Sequence, residues 1–146
     1  VDIFRYSRIV SNDTVEVIHH MVNDALNKGS LTIYGNPKHA ISFIHLSDVI
    51  RANLRSIDQC DKKISIYNIT NSKPITLEDL SSKVIKNIST KKKIHVKKKK
   101  YNANFEPTVV SMSSKKTQSE LMWKPEISID NIIREKVNFL KKNDES

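Results

Sequence analysis

Hydrophobic positions recur along this chain with two periods, one helical and one extended. From Thr14 onward, Val15, Ile18, Val22, Ala25 and Leu26 fall at the spacing of one helix face. Asp13 or Thr14 is available as N-cap, and Gly29 follows the end, where a left-handed residue closes a helix. A second stripe, Leu77, Leu80, Val84 and Ile88, opens with Thr76 and Asp79 as a variant capping box and Ile75 with Leu80 as a hydrophobic staple. Ser128 caps a last helix with core positions Ile129, Ile132, Ile133, Val137 and Leu140, beyond which residues 141–146 read as a flexible tail. Further helices are expected from Ser47-Asp48 to Ile57 and over 113–121.

Between the helices lie β-prone runs. Val1 to Val10 reads as a strand ending in the turn Ser11-Asn12-Asp13, and Leu31 to Tyr34 as a short strand closed by Gly35-Asn36-Pro37. Ile41 to Leu46 is another apolar run, and Ile64, Ile66, Tyr67 and Ile69 form the near-continuous run of a strand buried on both faces. Strands alternating with amphipathic helices predict an α/β domain with parallel pairing over residues 1–140. Trp123-Lys124-Pro125 reads as packing, with the ring pinned at a corner between the last two helices.

Charge changes the picture at one place. The chain of 146 residues has a formal net charge of +9, and seven of its lysines crowd positions 91–93 and 97–100. Such a run could neutralise phosphates, but Ile94 and Val96 alternate through it as in a solvated edge strand, where lysines also block strand-to-strand aggregation. A binding role for nucleic acid is therefore the weaker reading. Five histidines offer no metal-ligand spacing: His19 and His20 are adjacent on a helix, and His39, His45 and His95 sit on separate elements. Serines and aspartates cluster at helix starts, where capping explains them, so no catalytic residue is assigned. Cys60, the one cysteine, is flanked by acids that disfavour a thiolate and has no disulfide partner in the chain, which fits a cytoplasmic protein. The apolar runs fall short of the ~18 residues a membrane-spanning helix needs.

Glycine is the scarcest clue. Only Gly29 and Gly35 are present, so no glycine-rich phosphate loop can be written. The chain also starts with Val1, already inside a strand, and reads as a fragment of a larger protein.

Taken in order, several segments resemble the C-terminal half of the NAD-dependent epimerase/dehydratase family, the extended short-chain dehydrogenase/reductases. Ile3-Phe4-Arg5-Tyr6-Ser7-Arg8 is similar to the family's L-R-Y-F-N strand, Leu31-Thr32-Ile33-Tyr34-Gly35 to L-x-V-Y-G, and Phe43-Ile44-His45-Leu46-Ser47-Asp48-Val49 to F-I-H-V-x-D-V. Tyr67-Asn68-Ile69 with Ile75-Thr76-Leu77-Glu78-Asp79-Leu80 is similar to Y-N-I and x-T-x-x-E-L, and Leu121-Met122-Trp123-Lys124-Pro125 to L-G-W-x-P. The resemblance implies the C-terminal part of an extended Rossmann-type dehydrogenase fold, on the substrate side of an enzyme acting on nucleotide-sugars. The glycine-rich loop and the Tyr-x-x-x-Lys catalytic pair would belong to an N-terminal Rossmann half, so NAD or NADP is expected in the parent protein and not on this chain alone. Tyr6 and Ser7 would lie beside the nicotinamide, and Tyr34 near the nucleotide base.

This chain departs from that pattern where phosphates are held. Arg8 stands in place of an Asn that contacts the sugar, Val10-Ser11 in place of Tyr-Gly, Met122 in place of Gly, and Ile41-Ser42 in place of the Arg-Asp that precedes F-I-H. The later R-P-G-D segment is absent around Phe105-Glu106-Pro107. A diphosphate needs concentrated cations. Arg8, Lys38, His39 and Lys99 or Lys100 are the substitutes, and Arg8, Tyr34, Lys38 and His39 are the candidate substrate contacts. Expected partners are a nucleotide-sugar or related small molecule and the N-terminal half, with a homodimer allowed. Two other readings stay open: a non-catalytic relative kept as a binding or assembly module, and a basic nucleic-acid-binding module built on the lysine run. The reading frame upstream of Val1 separates the first of these from the enzyme.

Overall fold

The computed structural model describes residues 1–58, 64–88, 93–100 and 111–144. In chain order it contains β1 (Asp2–Tyr6), β2 (Arg8–Val10), α1 (Val17–Lys28), β3 (Ser30–Tyr34), β4 (Ala40–Ile41), β5 (Phe43–His45) and α2 (Leu46–Asp58). These are followed by β6 (Ser65–Ile69), β7 (Ile75–Thr76), α3 (Leu77–Ile88), β8 (His95–Lys99), α4 (Lys115–Glu120) and α5 (Ile129–Asp144). The strands form two-stranded pairs: β1–β6, β2–β5 and β3–β8 run parallel, and β4–β7 antiparallel. The α/β class with parallel pairing is thus the observed one.

The run expected as one strand over Val1 to Val10 is broken at Ser7, because the backbone changes partner there. Ser7 N still donates to Ile69 O on β6 (3.2 Å), whereas Arg8 N donates to Ser42 O beside β5 (3.2 Å). One residue therefore sits at the junction of two sheets.

Two apolar cores result. The larger joins α1, α3 and α5 over β3 through Ile18, Val22, Leu31, Ile33, Leu80, Val84, Ile132 and Ile133, all buried. The smaller gathers Ile44, Val49, Ala52, Tyr67, Ile69, Leu121 and Trp123 between α2, β5 and β6. Trp123 is buried as expected, but against α2 and β6 and not between the last two helices.

Helix termini follow the predicted chemistry at some ends and not at others. Gly29 closes α1 with φ 59°, and at α3 the Thr76 hydroxyl donates to Asp79 (2.7 Å) while Asp79 N donates back to it (3.0 Å). The N-cap of α1 is Glu16, not Asp13 or Thr14. Its carboxylate accepts from Ile18 N (2.7 Å) and His19 N (3.1 Å), while Thr14 is occupied in a turn with Ser11. Burial pushes the Glu16 carboxyl above its ordinary value, partly offset by those two amides.

Asp48 is likewise not a cap. It lies within the first turn of α2, wholly buried, paired with Arg51, and accepts from Glu126 N (3.2 Å) and Ile127 N (3.1 Å). Its backbone carbonyl takes the Trp123 indole N–H (3.0 Å). This clasp fastens the 123–127 segment to α2.

The final helix runs to Asp144, so Lys141 and Lys142 belong to its last turn and not to a tail. Within it Lys136 is buried, and its ammonium donates to Ser11 O (2.7 Å), Asn12 O (2.9 Å) and Thr14 O (2.8 Å). Burial lowers its pKa against the opposing pull of Glu16 and Asp13. β8 is an edge strand with all five residues exposed, and only Ile94, just before it, turns inward. Lys98 pairs with Glu78 (2.8 Å) and Lys99 lies over the Tyr34 ring (5.9 Å). Cys60, Lys91, Lys92, Tyr101 and the Phe105-Glu106-Pro107 segment lie outside the described residues.

Candidate functional site

The break at Ser7 opens a cavity of about 370 Å³, lined by Tyr6, Ser7, Arg8, His39, Ile41, Ser42 and Met112. Four of the six residues singled out from the sequence, Tyr6, Ser7, Arg8 and His39, meet here. They arrive from two directions. β1 and β2 carry Tyr6, Ser7 and Arg8 on consecutive positions, and His39 is delivered by the turn after Pro37. That turn is docked on α3: His39 N donates to Asn36 O (2.9 Å), Leu77 N to His39 O (3.0 Å) and Glu78 N to Pro37 O (3.1 Å).

The wall of this cavity is polar and incompletely satisfied. Among the described residues, four side chains hold a buried polar atom with no hydrogen-bond partner, and three of the four line this cavity: Ser7 Oγ, His39 Nδ1 and Ser42 Oγ. A buried group left without a partner costs about 1–3 kcal/mol, so such atoms concentrated in one wall mark a place where a ligand supplies the missing bonds. Arg8 is exposed and lies close enough to Glu16 to pull its carboxyl pKa down. Tyr6 lines the cavity, and its hydroxyl donates to Asn53 Oδ1 on α2 (3.0 Å).

Tyr34 and Lys38 are not brought in. Tyr34 ends β3 under Lys99, and Lys38 is exposed on the turn, its own N–H donating to Asn36 Oδ1 (2.9 Å). Sequence reading missed Ser42, Ile41 and Met112. Ser42 carried a signal, since Ile41-Ser42 is where the chain departs from the Arg-Asp pattern, but the departure showed as a loss and not as a wall. Met112 sits in an aperiodic segment with no signal.

Other groups have structural employment. His45 Nδ1 accepts from Ser47 N (3.2 Å) and its Nε2 faces Glu135 (3.1 Å). A larger cavity of about 620 Å³, with Arg51, Arg55, Asp58, Trp123 and Lys124 in its lining, contains none of the predicted residues. Among the described residues no group of three His, Cys, Asp or Glu could hold a metal, and no helix is long and apolar enough to cross a membrane.

Neither glycine can cradle a dinucleotide. Gly29 closes the C-terminal end of α1, and Gly35 (φ 84°) follows β3, so neither stands at a helix N-terminus where backbone amides could surround a pyrophosphate. The residues of this chain do not fit that part of NAD.

Residues 3–70, which carry β1 to β6 and the Ser7 junction, match the profile of the NAD dependent epimerase/dehydratase family. Solved structures extend the likeness over nearly the whole of this chain. MoeE5 in complex with UDP-glucuronic acid and NAD superposes with a TM-score of 0.84 at 14% identity, covering 97% of this chain and 47% of that one. UDP-N-acetylglucosamine 4-epimerase from Methanobrevibacter ruminantium M1, in complex with UDP-N-acetylmuramic acid, gives 0.81 at 18%, with 97% and 46% covered. dTDP-glucose 4,6-dehydratase from Bacillus anthracis str. Ames, in complex with NAD, gives 0.80 at 21%, with 99% and 45% covered. No curated relative matches the chain by sequence. The chain spans a little under half the length of these solved structures.

Proposed function

We propose that this chain is the substrate-side part of an NAD-dependent nucleotide-sugar epimerase, dehydratase or reductase in the cytoplasm, whose cofactor loop and catalytic Tyr and Lys come from an N-terminal Rossmann half. The observation that carries this reading is the cavity at Ser7. Tyr6, Ser7, Arg8 and His39 line it together, and Ser7, His39 and Ser42 each hold a buried polar atom without a partner there; in this reading Tyr6 and Ser7 serve the cofactor side, and Arg8 and His39 the sugar side.

A second feature supports the missing half. α2 buries Val49, Ala52 and Ser56 on one side, yet leaves Leu46, Ile50, Leu54 and Ile57 exposed on the other. Asn53 shares that outer face and holds Tyr6 by the hydroxyl, so the apolar face adjoins the cavity. Ile3 and Ile66, paired in register on β1 and β6, are exposed as well. Contiguous apolar surface of this kind calls for a partner, and a Rossmann half covering it would bring the nicotinamide next to Tyr6 and Ser7.

Calorimetric titration of the chain joined to its upstream half tests the reading. The joined protein binds NAD and a nucleotide-sugar in the micromolar range, and the 146-residue chain alone binds no NAD. Micromolar NAD binding by the chain alone, or an upstream half without a glycine-rich loop and Tyr-x-x-x-Lys, overturns it in favour of a non-catalytic binding module. The described lysines of β8, with Lys98 paired to Glu78 and Lys99 over Tyr34, favour an edge-strand role over a nucleic-acid site.

A further inference from the structure

The charge of the Ser7 cavity is of an unusual kind for a site that receives a diphosphate ester. Among the described residues, Arg8 is the one fixed cation in its lining and no carboxylate lines it. The Arg8 guanidinium has no hydrogen bond or ion pair with any described residue, and its charge pulls the Glu16 carboxyl down from a distance. Beside it are the Ser7 and Ser42 hydroxyls, both buried without a partner, and Ser42 is itself only 4% exposed. The rest of the wall, Ile41 and Met112, is apolar.

These features select the ligand group by chemistry. A diphosphate spreads two charges over several oxygens and is held by several cations, and one guanidinium with no second cation in the wall serves it poorly. A carboxylate is a single planar anion whose two oxygens match the two parallel N–H donors of a guanidinium fork. Its remaining lone pairs accept from hydroxyls, and two unused hydroxyls are what the wall supplies. The cavity's about 370 Å³ lies within the range of small-ligand sites.

We propose that the cavity takes the carboxylate of an acidic sugar, with Arg8 as its counter-ion and the Ser7 and Ser42 hydroxyls as its neutral donors. This rests on the nucleotide-sugar reading above and narrows it to uronate-type substrates. His39 Nδ1, also unpartnered in the lining, is left to a sugar hydroxyl.

The test titrates the full-length protein calorimetrically with a uronic acid conjugate, the matching neutral glucose conjugate and the free nucleoside diphosphate, each in the UDP and the dTDP series. The acidic sugar is expected to bind about tenfold or more tightly than the neutral one, the discrimination a charged hydrogen-bonded pair supplies. Arg8→Gln removes that preference while leaving the thermal midpoint unchanged, because Arg8 is exposed in the protein without ligand. Ser42→Ala reduces the preference in part. Equal affinity for acidic and neutral sugars, or a preference that survives Arg8→Gln, overturns the acidic-sugar proposal and leaves the nucleotide-sugar reading standing. Failure of every conjugate and nucleotide to bind overturns both.

Discussion

The α1–α3–α5 side of the molecule and the α2–β1–β6 side are built from the same kind of amphipathic elements, yet one is closed and the other half covered. On the first side each helix sends its apolar stripe into a shared core and presents charge outward, as where Lys83 on α3 meets Asp130 on α5 (2.7 Å). On the second, α2 carries apolar residues on both faces, and Ile57 is 70% exposed. A helix with an exposed apolar row besides its buried one offers a second face to a partner. The first side covers its own apolar surface; the second leaves Leu46, Ile50, Leu54 and Ile57 exposed.

The sharpest way to break this contrast is at Trp123. It anchors the smaller core and donates to the Asp48 carbonyl, so Trp123→Ala is expected to cost about 3–5 kcal/mol, read from the denaturation midpoint. A loss below about 1 kcal/mol would mean that the half-covered side contributes little to folding in the first place.

A smaller effect tests the closed side. Its hydrogen bond with Lys83 holds the Asp130 carboxyl below the ordinary 3.8. A carboxyl depressed in the folded state contributes stability that is fully present above the unfolded pKa and is lost as the pH falls through the folded one. Stability should therefore decline on acidification below about pH 4, and Asp130→Asn should flatten that limb. Because both partners are more than a third exposed, the contribution is screened and stays under about 1 kcal/mol. An acid limb unchanged by Asp130→Asn would show that other carboxylates set it.

Smallest in stability and most telling for the contrast is the outer face of α2. Leu54→Gln with Ile57→Gln should change the folding free energy by less than about 0.5 kcal/mol, since these side chains are already in water. Sedimentation should show weaker self-association at the same time. A loss of about 2 kcal/mol or more would mean that the chain covers this face by itself.

What was legible in the sequence was whatever depends on local period and local capping. The stripes of α1, α3 and α5, the left-handed Gly29 and the Thr76–Asp79 box are all decided within a few residues. What was not legible depends on which distant segment arrives. The break at Ser7 exists because β6 and β5 compete for consecutive amides, and Asp48 leaves its capping role because Glu126 and Ile127 bring amides to it from 78 and 79 residues away. Lys136 occupies a core slot between Ile133 and Val137, but its residue type concealed the burial. At the cavity, Tyr6 and Ser7 were singled out by resemblance and Arg8 and His39 by departure from it; Ser42 and Met112 needed the three-dimensional wall.

The Lys136 ammonium also sets a clock. It is bonded to Ser11, 125 positions earlier in the chain, so the loop that precedes α1 gets its lock only after α5 has been made. At synthesis rates of roughly 5–20 residues per second, the Ser11–Thr14 carbonyls wait on the order of ten seconds for their donor. During that interval the nascent α1 has its stripe but not its fixed entry. A ribosome stalled before α5 would release a chain with the β2–α1 corner loose, and quality-control proteases would meet that corner first.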